Sequence, residues 1–79
     1  MSPTVFREGE YRFYFFSREE SRMHVHVCCA EGEAKCWIEP EVKLACSAGL
    51  TDRQLGAIQK IVEDRRDEIT RAWNGHFSR

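Results

Sequence analysis

The sequence predicts an α+β fold: a small antiparallel β-sheet of about four to five strands from two hairpins, packed by one long C-terminal amphipathic helix. Three observations carry this. Residues 1–46 hold short β-prone runs interrupted at Glu8-Gly9-Glu10 and Glu31-Gly32-Glu33, and glycine between such runs signals a hairpin. Residues 51–77 instead repeat apolar side chains at spacings of three and four. The 79 residues are 42% hydrophobic and 32% charged, too apolar for a disordered chain and enough for a single domain over residues 1–79.

In the first hairpin, Thr4-Val5-Phe6-Arg7 pairs with Tyr11-Arg12-Phe13-Tyr14-Phe15-Phe16. Strand side chains alternate between faces, so Tyr11, Phe13 and Phe15 share one side, and Tyr14 and Phe16 the other. A strand apolar on both faces belongs inside a sheet or under a partner, and the aromatic run reads as core. The second hairpin is more informative. With Glu31 and Gly32 as a two-residue turn, Met23, Val25, Val27, Cys29, Ala34, Cys36 and Ile38 form one wholly apolar face. The other face carries Arg22, His24, His26, Cys28, Lys35, Trp37 and Glu39. That register sets His24 near Glu39, His26 near Trp37 and Cys28 near Lys35. A one-residue slip would drive Lys35 and Glu39 into the apolar side. Pro40 closes the fourth strand, and Glu41-Val42-Lys43-Leu44-Ala45-Cys46 alternates as a fifth, edge strand guarded by Lys43.

The helix, residues 51–77, opens with Thr51 and Gln54 spaced as a capping box, flanked by Leu50 and Leu55 as a hydrophobic staple. Leu55, Ile58, Ile61, Val62, Ile69, Ala72 and Trp73 make its apolar stripe, and Gly75 is placed to end it or to loosen its last turn. Cys29, Cys36 and Cys46 fall at apolar positions as small hydrophobes, while Cys28 falls on the open face.

The net charge is −1, which supplies no global field for nucleic acid or an anionic membrane. No stretch approaches the roughly 20 apolar residues of a membrane span. The N-terminus lacks a secretory pattern, so the expected location is the cytoplasm, with free thiols.

The order of motifs resembles a known family. Pro3-Thr4-Val5-Phe6-Arg7, Tyr11-Arg12-Phe13, His24-Val25-His26-Val27, Ala34-Lys35-Cys36-Trp37-Ile38-Glu39-Pro40, Gly49-Leu50 with Leu55, and Ala72-Trp73-Asn74 together resemble the bacterial domain-of-unknown-function family numbered 4160. Two segments depart from the family pattern: Ser21-Arg22-Met23 stands where prolines are usual, and Gly75-His76 where Glu and Tyr are usual. The resemblance implies a gene neighbour from the small family numbered 2442, and a toxin–antitoxin-like pair with this chain on the toxin side. It brings no chemistry with it.

The chemistry is therefore sought on the open face. His24 and His26, two apart on a strand, are the candidate catalytic residues, a general acid and base for metal-free RNA cleavage. Arg22 and Lys35 would contact phosphate, Trp37 would stack on a base, and Glu39 completes the binding set. Three other readings stay open. His24, His26, Cys28 and Glu39 have the residue types of a zinc site, but no closed set of four is legible and no metal or cofactor is assigned. The same face would serve a non-catalytic protein-interaction domain, docking the small antitoxin-like partner or a second copy of the chain. Finally, the histidines can be plain structural filler beside Trp73, His76 and Phe77.

Overall fold

The computed structural model describes residues 4–16 and 22–77. Five strands, β1 (Thr4–Glu8), β2 (Tyr11–Tyr14), β3 (His24–Cys28), β4 (Glu33–Trp37) and β5 (Lys43–Ala48), form one antiparallel sheet in the order β1-β2-β3-β4-β5. Two helices follow, α1 (Asp52–Asp64) and α2 (Arg66–Phe77). The fold is α+β. Pro3 and Ser21, both among the quoted motifs, lie outside the described residues.

Alternation within the strands puts Phe6, Phe13, Val25, Val27, Ala34 and Cys36 on the covered side of the sheet, joined at the strand ends by Tyr11, Phe15, Met23 and Ile38. Ile58, Val62, Ile69 and Trp73 of the helices close over them. Phe13, Val25, Val27 and Val62 have no exposed surface. Burying a large apolar side chain of this kind is worth about 1.5–3 kcal/mol, so this single layer holds the fold.

The second hairpin keeps its predicted faces but not its predicted register. His24 faces Trp37, His26 faces Lys35 and Cys28 faces Glu33, two residues away from the expected pairing. A shift of two leaves every side chain on its own face, so the apolar pattern cannot detect it. The loop is longer than a two-residue turn, and Cys29 N–H donates to Gly32 O across it at 3.0 Å. The glycines with positive φ are Gly9 and Gly49, and Gly32 is not one of them. Gly32 is required for another reason: a Cβ there would run into Ala48 O, and its backbone packs against Gly49.

A bulge in β5 changes another expectation. Cys46 pairs with Lys35 but Leu44 pairs with Cys36, leaving Ala45 as the extra residue. An extra residue reverses the alternation beyond it. Cys46 therefore turns to the open face and is exposed, not buried as core filler, whereas Cys36 is buried as expected.

The predicted helix over residues 51–77 is two helices meeting at Arg65 (φ −111°, ψ 23°). Arg65 N–H donates to Ile61 O and Ile69 N–H to Arg65 O, both at 3.0 Å, so hydrogen bonds reach the break from either side. The Arg65 guanidinium lies 3.5 Å from the Phe6 ring centroid and pairs with Glu8 at 3.1 Å and Glu68 at 2.8 Å. These contacts tie the bend to β1, a tertiary attachment that the apolar stripe does not encode. α2 runs through Gly75 to Phe77, the expected end of the helical segment. The N-terminal capping box forms as predicted: Gln54 N–H donates to Thr51 Oγ1 at 3.1 Å, and Thr51 N–H to Gln54 Oε1 at 2.9 Å.

Candidate functional site

The sheet face turned away from the helices is built from the polar phase of the strands. Hydrogen-bonded pairing aligns Tyr14, His26, Lys35 and Cys46 in one row across β2 to β5. Arg12, Cys28, Glu33 and Ala48 form the row on one side, and His24, Trp37 and Lys43 the row on the other. Residues opposite one another across strands have Cβ atoms about 4.5–5.5 Å apart, so each row is a line of touching side chains.

Tyr14, Phe16 and His26 form an aromatic cluster on this face. The Phe16 and His26 rings lie 4.2 Å apart, Tyr14 and His26 are stacked at 5.4 Å, and Tyr14 meets Phe16 edge-on at 5.6 Å. Phe16 is 44% exposed. Cations surround the cluster. Arg12 lies over Tyr14 at 4.6 Å, while Arg22 and Lys35 lie over Trp37 at 4.1 and 4.5 Å. Lys43 stands opposite Trp37. A groove of about 270 Å³ opens beside the aromatic cluster, lined by Tyr14, Phe16, His26, Glu33, Lys35 and Cys46 among others.

The two histidines have different surroundings. His26 is half-buried with its Nε2 below the surface. His24 is fully buried, with 0% exposure. Its Nδ1 lies 2.8 Å from Arg22 O, the distance of a ring N–H donating to a carbonyl. Trp73 of α2 covers the ring at 5.3 Å, Trp37 lies at 5.6 Å and His26 at 5.0 Å. The expectation that both imidazoles open to solvent is therefore corrected: α2 carries Trp73 around the end of the sheet and closes over His24. Phe15, His76 and Phe77 complete this aromatic end-cap.

Of the other candidate residues, Arg22, Lys35 and Trp37 do come together on the open face. Glu39 takes part through its backbone, where its carbonyl accepts from Arg22 Nε at 3.1 Å. Arg12, Phe16 and Lys43 join the site without having been singled out. Strand alternation had placed Phe16 opposite Phe15, but the reading of the aromatic run as core hid its exposure. His24, His26 and Cys28 are not drawn together as a metal-ligand set. The ligand atoms of Glu10, Cys29 and Glu31 do converge within 4.8 Å at the hairpin ends, where Cys29 Sγ–H donates to Glu31 Oε1 at 3.3 Å. Burial raises the Cys36 thiol from its ordinary value near 9 to about 11, which makes it a poor nucleophile at neutral pH.

Among the described residues no helix is long and apolar enough to cross a membrane. No curated protein and no solved structure matches the sequence. A family model described as a domain of unknown function, DUF4160, matches residues 10–74, most of the chain. The match spans all of β2 to α1, most of α2 and every open-face residue named above, and the chain belongs to the DUF4160 family.

Proposed function

We propose that this chain is the toxin-side member of a toxin–antitoxin-like pair and that its open sheet face binds single-stranded RNA. The observation that carries the RNA reading is the aromatic cluster of Tyr14, Phe16 and His26 set among Arg12, Arg22, Lys35 and Lys43. Exposed aromatic rings on a sheet stack on unpaired bases, and nearby cations hold the phosphates. The chain as a whole is nearly neutral, so this local patch does the attracting.

The geometry favours binding over metal-free cleavage. Acid–base cleavage by two imidazoles needs both within reach of one phosphodiester. His24 is covered by Trp73, and the Nε2 of His26 is below the surface. In this reading His24 positions β3 under the end-cap and His26 is part of the stacking surface. The small antitoxin-like protein would compete for the same face.

The test is fluorescence anisotropy of a labelled single-stranded RNA of mixed sequence with the full chain. Two to four phosphate contacts predict that log K falls against log salt with a slope of about −1.4 to −2.8. Phe16→Ala should weaken binding about tenfold through loss of one stacked base. Lys35→Ala should weaken it and flatten the salt slope. No binding at about 50 mM salt, or binding by both variants as tight as that of the wild type, would overturn the reading.

A further inference from the structure

We infer that the groove beside the aromatic cluster is a base-selective subsite that takes a guanine nucleotide of the RNA. The inference rests on the RNA-binding reading and adds what that reading leaves open, the identity of the base.

Size is the first argument. At about 270 Å³ the groove sits at the small end of ligand pockets, which suits one nucleotide better than two. Its walls are the second. Tyr14, Phe16 and His26 supply a continuous aromatic side. Lys35, in the same hydrogen-bonded row as His26, supplies a cation for phosphate.

Among the described residues of the lining, Glu33 is the one acid. It lies two residues before Lys35 on β4 and on the same face, so the two side chains start about 7 Å apart. A carboxylate only accepts hydrogen bonds, and it has two oxygens to satisfy. Guanine alone presents two adjacent donors on its Watson–Crick edge, N1–H and the N2 amino group. Adenine and cytosine set one amino group beside a ring nitrogen whose lone pair would face the second carboxylate oxygen. Uracil sets its single N–H between two carbonyl oxygens. A base leaning on the aromatic side with its Watson–Crick edge toward Glu33 and its phosphate toward Lys35 is therefore best matched as guanine.

The experiment compares seven-nucleotide RNAs that differ only at the centre: an all-uridine strand and the same strand carrying one G, one A or one C. Each is titrated with the wild-type chain and with Glu33→Gln. A bidentate contact of this kind discriminates about tenfold or more. The expected result is G tightest in wild type, with the preference lost in Glu33→Gln because an amide both donates and accepts. The unfolding temperature of the variant should stay at the wild-type value, since Glu33 is exposed. Equal binding of all four RNAs, or a G preference unchanged in Glu33→Gln, would overturn the subsite and leave the RNA reading standing. Binding of none of the four would overturn both.

Discussion

Replacing His24 by Ala separates a structural imidazole from a reacting one. The ring is fully buried, touches Trp73, Trp37 and His26, and Nδ1–H meets Arg22 O at 2.8 Å. Deleting it forfeits one hydrogen bond, about 1 kcal/mol, and leaves a ring-sized void costing about 2 kcal/mol more. The expected loss is about 3 kcal/mol, out of a total near 4–12 kcal/mol for a chain of this length. At about 4–8 °C per kcal/mol, the midpoint should fall by about 12–24 °C. Urea unfolding followed by tryptophan fluorescence measures this directly, because Trp37 and Trp73 flank the site. His24→Gln keeps a polar group at lower cost and serves if the alanine variant does not fold. His26→Ala is the contrast: half-buried, it should lose about 1 kcal/mol but weaken RNA binding through the stacking surface. A loss below about 1 kcal/mol in His24→Ala, together with abolished RNA binding, would refute the argument and return His24 to the working surface.

Three further outcomes follow from the packing and the titrations. Gly32→Ala pushes a Cβ into Ala48 O and should cost about 1–3 kcal/mol by overpacking, read as a lowered urea midpoint. Gly56→Ala, on the exposed side of α1 with open space around it, should raise stability by about 0.5–1 kcal/mol in the same assay. The Cys36 thiol titrates near 9 when unfolded and about 11 when folded, so the unfolded chain loses its proton first as pH rises. Stability should therefore be at its full level below about pH 9 and fall by about 1–3 kcal/mol towards pH 11. Tyr11, pushed up by burial and by neighbouring Glu10, adds a slope of the same sign. Cys36→Val should reduce that alkaline slope without removing it.

Much of the site was legible in the sequence because a strand's faces depend only on odd and even positions. The faces of the second hairpin followed from seven apolar residues on one side. Its register did not, since a two-residue slide preserves both faces and nothing local records that Gly32 must back onto Ala48 and Gly49. The apolar stripe skips from Val62 to Ile69 with Arg65 in the gap, and nothing local records that its guanidinium meets Phe6 and Glu8 where the helix breaks. Cys46 changed sides because one bulge at Ala45 reversed the alternation beyond it.

The sequence by itself determined the α+β class, the apolar and polar faces of the central hairpin, and the Thr51–Gln54 start of the helical segment. All three rest on short-range periodicity or on groups within four residues of one another. Tertiary structure alone decided that His24 is enclosed while Phe16 is left in the open. That outcome depends on where α2 carries Trp73, a contact between residues 49 positions apart in the chain, for which no local pattern exists.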